Sequence, residues 1–179
     1  MATRPSVGHV VVTGLMGAGK TTIGRALATR LGWPFSDSDE AIASSRGQTA
    51  REIAVRAGPA RLHRLEADHL RRALRAPGRS VVAAAASVVE DPRCVAALEA
   101  PEVLVVYLRA TVPTLVARFD REAHRPLYGD DAATMFHDQI ATRGPILERL
   151  ADLVVDVDLA DSPERLGRAA RAIAERARG

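Results

Sequence analysis

A single lysine stands in a chain whose other basic residues are all arginine. Lysine and arginine together number 25 in 179 residues, and Lys20 is the one lysine among them. It lies in residues 14–21, GLMGAGKT, which match the phosphate-loop pattern G-x-x-x-x-G-K-[ST] without a mismatch. A compact ammonium reaches between phosphate oxygens, where a planar guanidinium is too wide. The retained lysine therefore predicts a site for the phosphates of a nucleotide.

The residues around Lys20 suit the same chemistry. Glycines let backbone N–H groups curl around phosphates, and the hydroxyl of Thr21 is a candidate ligand of Mg²⁺. The nucleotide-binding residues that we predict are Gly17, Ala18, Gly19, Lys20, Thr21 and Thr22. Residues 10–12 before the loop are a valine run typical of a buried strand, and apolar residues after it recur at helical spacing. This strand, loop and helix would place the positive end of a helix dipole at the phosphates.

Length and composition limit the classes of protein that the chain can represent. We expect one domain, residues 1–179, large enough to bury a substantial core. No run approaches the roughly 20 apolar residues that a membrane span needs, and the single Cys94 excludes an internal disulfide. We therefore expect a cytoplasmic protein that does not interact with membranes.

The basic pI of about 9.7 does not by itself indicate nucleic acid binding. The net charge is only +3, the arginines are interspersed with acidic residues, and aromatic residues make up 3% of the chain. We expect a small-molecule substrate, no nucleic acid partner and a monomeric protein.

Apolar runs alternate with helical patterns along the whole chain. The runs at residues 81–84, 103–108 and 153–155 are typical of central parallel strands. Between them, Thr49 and Glu52 form a capping-box pattern, and helices are predicted from about residue 60 to 75 and from Pro163 onward. The pattern predicts a three-layer α/β/α P-loop NTPase fold with a parallel central sheet. An irregular polar segment at about residues 119–131, which carries Arg125, is a candidate lid.

Several short motifs follow one another in a fixed order along the chain. They are residues 14–24, Asp37-Ser38-Asp39, Glu52-Ile53, Leu65-Glu66, residues 105–108, Arg125-Pro126-Leu127 and Arg143. The phosphate loop alone is shared by very many proteins, whereas the ordered set is much more specific. This set resembles that of the shikimate kinase family, nearly from end to end.

The resemblance implies ATP and Mg²⁺ as cofactors and assigns roles to individual residues. Lys20 would hold the transferring phosphate, Thr21 would bind Mg²⁺ directly and Asp37 would reach it through water. Asp39 would accept hydrogen bonds from the hydroxyls of the phosphate acceptor and take the released proton. Of three arginines, Arg118 would lie against adenine, Arg125 would arrive with the lid and Arg143 would bind an acceptor carboxylate.

The residues themselves support these roles. Lys20, Mg²⁺ and Arg125 could supply the positive charge that stabilises a phosphoryl-transfer transition state. If Asp37 and Asp39 lay in an extended segment, both side chains would point the same way. An alternative function for this Asp-Ser-Asp segment is to cap a helix, and the two functions are compatible.

Two departures from the family pattern affect the predicted acceptor site. His63 occupies the place of an arginine that would bind the acceptor carboxylate, and Arg64 is turned away from it by about 100° along a helix. Ala85, Ala86 and Ser87 replace three glycines, so added side chains would narrow the pocket and strain any position that needs a positive φ. Ser87 also gains a hydroxyl that could contact the acceptor, and related gluconate kinases have a serine near this place.

The sequence therefore predicts an ATP-dependent kinase that phosphorylates a hydroxyl of a small polyhydroxylated metabolite, shikimate or a shikimate-like compound. The residues leave two alternatives open. One is a gluconate-like sugar-acid kinase, and the other is a regulatory module that binds or hydrolyses ATP without an acceptor. Retention of Asp39, Arg125 and Arg143 favours phosphoryl transfer, since a switch has no use for an acceptor site.

Overall fold

The computed structural model describes residues 6–119, 131–158 and 163–178, and within them five strands and eight α-helices. The strands are β1 (His9–Gly14), β2 (Phe35–Asp37), β3 (Ser80–Ala85), β4 (Val103–Arg109) and β5 (Leu153–Asp156). The helices are α1 (Lys20–Leu31), α2 (Ser38–Arg46), α3 (Ala50–Ala57), α4 (Pro59–Arg75), α5 (Pro92–Leu98), α6 (Val112–Phe119), α7 (Ala132–Leu150) and α8 (Pro163–Arg178). A short 3₁₀ helix, Ala86–Glu90, follows β3 directly.

The strands form one parallel sheet in the order β2-β3-β1-β4-β5. In the central strand Val10 pairs with Val81 of β3 on one side and with Leu104 of β4 on the other. The valines of β1 are fully buried because helices cover both faces of the sheet, which is why its strands are continuous apolar runs. The predicted three-layer α/β/α fold with a parallel sheet is confirmed.

The local signals in the sequence match the observed helix ends. The side chain of Thr49 accepts the Glu52 N–H, and the Glu52 carboxylate accepts the Thr49 N–H, so the predicted capping box is present. Helix α4 begins at Pro59, one residue before the expected start, and ends at Arg75 as predicted. Cys94 is fully buried in α5, as expected of a small core residue in a helix.

The topology gathers the chemically interesting residues at one edge of the sheet. Strands β1, β2 and β3 run parallel and end at Gly14, Asp37 and Ala85, so their carboxyl ends lie together. In open α/β sheets, ligands bind at this carboxyl edge. None of the helices in the described ranges is long and apolar enough to cross a membrane.

Candidate active site

The phosphate loop joins the buried strand β1 to the first turn of α1. Gly17 and Gly19 have φ angles of 82° and 90°, a backbone region that residues with a side chain rarely adopt. The carbonyl of Leu15 accepts the N–H of Ala18, which closes the turn, and Ala18 is buried beneath it. The loop is therefore folded so that the N-terminus of α1 opens onto it, as an anion-binding loop requires.

The ammonium of Lys20 lies over its own loop. Its Nζ atom donates hydrogen bonds to the carbonyls of Gly14 at 2.9 Å and Leu15 at 3.1 Å. Both acceptors are neutral oxygens, whereas phosphate oxygens are charged and form stronger hydrogen bonds with an ammonium. Lys20 is thus positioned beside the loop with partners that a bound phosphate could replace.

Thr21 and Asp37 connect the phosphate loop to the end of β2. The Thr21 hydroxyl donates a 2.7 Å hydrogen bond to Oδ2 of Asp37. The other carboxylate oxygen of Asp37 accepts the N–H groups of Asp39, at 2.9 Å, and Glu40, at 3.4 Å. Asp37 is buried and is the N-cap of α2, so the helix-cap alternative is confirmed. The contact with Thr21 uses the same carboxylate.

Asp39 lies in the first turn of α2 and is exposed. The expectation that Asp37 and Asp39 share an extended segment is therefore wrong, because Asp37 caps the helix and the backbone turns at Ser38. The two carboxylates are arranged by a helix cap, with one buried beneath the turn and the other presented on its surface.

Arg118 connects the phosphate loop to the segment after β5. Its guanidinium donates to the carbonyl of Gly17 at 2.9 Å and to that of Val157 at 3.2 Å. A Cβ on Gly17 would lie 3.3 Å from the Cβ of Arg118, so the loop and helix α6 are in close contact. Arg118 is therefore beside the phosphate loop, on the side formed by α6.

Three elements bring together His63 and Arg143, two of the residues expected to bind the acceptor. Nε of Arg143, in α7, lies 2.6 Å from Oε1 of Glu90, at the end of the 3₁₀ helix. Nδ1 of His63, in α4, lies 3.2 Å from Oε2 of the same carboxylate. Burial lowers the pKa of His63, and the charge of Glu90 opposes that shift while Arg143 adds to it. Arg64 is exposed, which agrees with its expected orientation away from His63.

Glu66 is a second buried carboxyl group, after Asp37, and lies three residues beyond His63 in helix α4. Glu66 of α4 is almost completely buried and accepts a hydrogen bond from the hydroxyl of Ser87. Burial raises the pKa of Glu66 to about 7, and the Ser87 hydrogen bond opposes this effect. That value already includes the charge of Asp39, which raises the pKa, and the charges of Lys20 and Arg143, which lower it. The backbone puts the two parts of the site side by side, because Gly14 at the start of the phosphate loop pairs with Ala85, directly before the 3₁₀ helix that contains Ser87 and Glu90.

The three residues that stand in place of glycines do not strain the backbone. Ala85 has a φ of −62°, and no residue other than glycine has a positive φ within the described ranges. The expected strain is therefore absent there. The hydroxyl of Ser87 is turned to Glu66 inside the protein, since Ser87 itself is buried in the 3₁₀ helix.

Arg125 and most of the predicted lid, residues 120–130, lie outside the described residues. The two ends of the segment are well anchored. The ring of Phe119 packs edge-to-face on Phe136 with 5.9 Å between centroids, and Asp131 caps α7 through the N–H of Thr134. The segment therefore starts and ends on helices that pack against each other.

Sequence reasoning gave no role to Glu66 or Glu90. Glu66 stood in a matching segment, and its position three residues after His63 on a helix was a signal that both face the same way. No comparable signal marked Glu90. Its contact with Arg143 joins residues 53 positions apart, so only the fold reveals it.

Hard oxygen donors are present where the sequence predicted a metal. The Thr21 hydroxyl and the Asp37 carboxylate are ligand types that Mg²⁺ accepts, and they already lie within hydrogen-bond distance of each other. In the part of the chain that the structure describes, no three His, Cys, Asp or Glu side chains cluster as in a protein-only metal cage. Magnesium in phosphoryl-transfer enzymes needs no such cage, since phosphates and water supply most of its ligands.

A phosphate loop at the carboxyl edge of a parallel sheet, with Asp39 and the Glu90–Arg143 pair near the same edge, is the arrangement expected of a P-loop small-molecule kinase. Residues 16–176 match the family model described as shikimate kinase, and the chain belongs to that family. It is an ATP-dependent phosphotransferase that acts on a hydroxyl group of a small polyhydroxylated metabolite.

Individual relatives agree with this assignment. A shikimate kinase of Stenotrophomonas maltophilia is 37% identical over 152 residues, which cover 84% of this chain and 83% of the relative. A solved shikimate kinase from Acinetobacter baumannii, in complex with shikimate, superposes with a TM-score of 0.82 at 26% identity and covers 93% of this chain and 90% of that one. A gluconokinase from Sinorhizobium meliloti shares the fold with a TM-score of 0.53 at 17% identity, covering 98% and 97%.

Proposed function

We propose that the protein transfers the γ-phosphoryl group of ATP to a hydroxyl of shikimate. The observation that carries this proposal is that the fold puts the candidate groups at one edge of the sheet. Gly14 of the phosphate loop pairs with Ala85, and the 3₁₀ helix that follows Ala85 binds Arg143 through Glu90. Asp37, which caps the helix that carries Asp39, pairs with Ala83 of the same strand β3. The shikimate complex of the relative with a TM-score of 0.82 supports the choice of acceptor.

The nucleotide would bind with its phosphates in the loop of residues 14–21. Backbone N–H groups of Gly17, Ala18, Gly19, Lys20, Thr21 and Thr22 are the proposed donors. Lys20 would exchange the carbonyls of Gly14 and Leu15 for phosphate oxygens and stabilise negative charge in the transition state. Arg118 is the proposed contact of the adenine, because it lies beside the loop on the α6 side.

Thr21 and Asp37 would hold Mg²⁺, the threonine directly and the aspartate through water. When bound, the ion would neutralise charge that develops on the phosphates. The existing hydrogen bond between Thr21 and Asp37 keeps both oxygens at the mouth of the loop, and the cap contacts of Asp37 prevent its carboxylate from turning away.

Asp39 is the proposed catalytic base. Its exposure and its place in the first turn of α2 let it accept a hydrogen bond from an acceptor hydroxyl and take the proton released on transfer.

Arg125 is proposed to join the site with the lid. Hydrogen exchange that slows at about residues 119–131 when nucleotide and acceptor are added would support this role. Equal exchange with and without ligands would contradict it.

Because the co-substrate is ATP, we expect the enzyme to act in the cytoplasm. We also expect a monomer, which size-exclusion chromatography with light scattering would test.

A sugar-acid kinase is the second candidate. The observation that favours it is the Ser87 hydroxyl beside Glu66, where the family pattern has glycine. Because this hydroxyl is buried and bound to Glu66, the serine would act on an acceptor through the Glu66 carboxyl group.

An ATP-consumption screen with shikimate, quinate, gluconate and neutral cyclitols tests the proposal. Turnover that is fastest with shikimate and is lost in Lys20→Ala supports it. Fastest turnover with gluconate supports the second candidate. ATP hydrolysis that depends on Lys20 but is the same with every added compound would contradict both kinases and indicate a module without an acceptor.

A further inference from the structure

Glu90 holds both candidate carboxylate-binding residues at once. One of its oxygens lies 2.6 Å from Nε of Arg143, and the other lies 3.2 Å from Nδ1 of His63. The three side chains come from the 3₁₀ helix, α7 and α4, so the arrangement exists only in the folded protein. A side-chain carboxylate therefore already occupies the position at which these groups would receive the carboxylate of a substrate.

The two partners differ in their exposure to solvent. The side chain of Arg143 is 12% exposed, whereas that of Glu90 is 46% exposed. Arg143 is therefore largely enclosed by protein, and Glu90 is the more accessible member of the pair. An exposed carboxylate loses less hydration in a pair with arginine than a buried one, so this pair is one that a ligand could open.

The same cluster lies near the phosphate loop. The 3₁₀ helix that ends at Glu90 follows Ala85, which pairs with Gly14 at the start of the loop, and Ser87 of this helix donates a hydrogen bond to the buried Glu66. Burial lowers the pKa of His63, so this residue contributes little positive charge near pH 7. Arg143 is then the principal cation for two carboxylates, that of Glu90 and that of an acid acceptor.

Two carboxylates at one guanidinium repel each other. Glu90 takes the Nε donor of Arg143, so an acceptor carboxylate must either displace Glu90 or bind to the remaining N–H groups beside its negative charge. A neutral polyol has no such conflict, because its hydroxyls can hydrogen-bond to the cluster without displacing Glu90. Selection against one ligand by a like charge is a common source of specificity.

We propose that Glu90 is a specificity-determining residue that competes with the carboxylate of the acceptor for Arg143 and lowers the affinity of the site for acids such as shikimate. This inference rests on the proposed function, since it concerns the same acceptor site. The opposing interpretation is that Glu90 orients Arg143 and His63 for the acceptor. The two interpretations predict opposite effects when the charge of Glu90 is removed.

Calorimetric binding of shikimate to Glu90→Gln and to the unmodified protein provides the test. Glutamine keeps the size and one acceptor oxygen of Glu90 but removes its charge. We expect shikimate to bind about tenfold more tightly, with unchanged affinity for Mg-ATP and a lower KM for shikimate at similar kcat. Glu90→Thr, a second variant without the long side chain, is expected to act in the same direction.

Glu99→Gln is the matched control. Glu99 is half-exposed and pairs with Arg149, which is in α7 like Arg143. Glu99 comes just before β4 and so lies at the amino edge of the sheet, away from the site at the carboxyl edge. This variant should leave shikimate binding unchanged. Unchanged or weaker binding by both Glu90 variants, or no measurable binding by any protein, overturns the proposal.

Failure of the proposed function would look different. If Glu90→Gln binds shikimate more tightly but neither protein phosphorylates it, Glu90 governs carboxylate binding and shikimate is not the acceptor. If shikimate is phosphorylated but its affinity does not depend on Glu90, the acceptor is correct and the competitor is not.

Discussion

The hydroxyl of Thr21 donates a 2.7 Å hydrogen bond to Oδ2 of Asp37. This contact joins the first turn of α1 to the end of β2, across 16 positions of the chain. The other oxygen of Asp37 caps α2. One buried carboxylate therefore fixes a helix start and also presents an oxygen at the phosphate loop, and the two roles can be separated by mutation.

Asp37→Asn should raise the Mg²⁺ concentration needed for half-maximal activity by about tenfold, with little change in stability. Asparagine is as good an N-cap as aspartate, but it lacks the charge that attracts the cation. A magnesium titration of activity, paired with thermal unfolding, measures both quantities. Asp37→Ala should also lose about 1 kcal/mol of stability with the cap. An unchanged titration in Asp37→Asn would reduce this residue to a cap.

Lys20→Ala should lower kcat by at least about a thousandfold while the fold and part of the Mg-ATP affinity remain. Preorganised positive charge at the transferring phosphate contributes to the transition state, whereas the backbone N–H groups of the loop still bind the nucleotide. Lys20→Arg is the informative companion, since it keeps the charge but not the compact shape. Steady-state kinetics and nucleotide titration measure the effects. Substantial turnover by Lys20→Ala would contradict the assignment of the site.

The parts of the fold that rest on local pattern could be predicted from the sequence. The valine run before the phosphate loop is typical of a strand buried on both faces, and Thr49 with Glu52 is a local signal for a helix start; the structure has both. The relation of Asp37 to Asp39 was mispredicted because spacing alone cannot show that the first residue caps a helix that contains the second.

Long-range pairings explain the rest of what the sequence did not reveal. Ser87 and Glu66 are 21 positions apart, and Glu90 and Arg143 are 53 apart. Their contacts depend on how the 3₁₀ helix packs between α4 and α7, which no local spacing encodes. Glu90 ends the 3₁₀ helix after β3, and nothing in the residues around it indicates that it pairs with Arg143.

Glu66 should make stability depend on pH in a defined direction. Its folded-state pKa is raised from 4.5 to about 7, so between these values the folded protein binds more protons than the unfolded chain. The contribution of Glu66 to the free energy of unfolding is therefore full below pH 4.5, falls as pH rises through this window and stays low above pH 7. The total change is limited to a few kcal/mol.

Glu66→Gln isolates that contribution, because glutamine stays neutral at every pH and can still bond to Ser87. Urea unfolding at pH 5 and pH 8 should show the variant gaining stability relative to the unmodified protein at the higher pH. The histidines titrate in both proteins, so the difference between the two curves reports Glu66. A constant difference across this range would mean that Glu66 is ionised in the folded protein like an ordinary carboxylate.

His63→Arg should raise shikimate affinity by an amount that depends on Glu90. An arginine at position 63 would provide a second guanidinium for the acceptor, but Glu90 lies 3.2 Å from the present histidine and would pair with the new cation too. With Glu90 in place the gain should be small. In a Glu90→Gln background both guanidiniums would be available to the acceptor carboxylate, and the gain should be larger than the sum of the single changes.

A double-mutant cycle measures this coupling. Residues in one charged network commonly couple by about 0.5–3 kcal/mol, whereas distant sites add independently. Shikimate dissociation constants for the two single variants and the double variant complete the cycle, with Glu99→Gln in the His63→Arg background as the additive control. Simple additivity of His63→Arg with Glu90→Gln would show that Glu90 does not compete at this position.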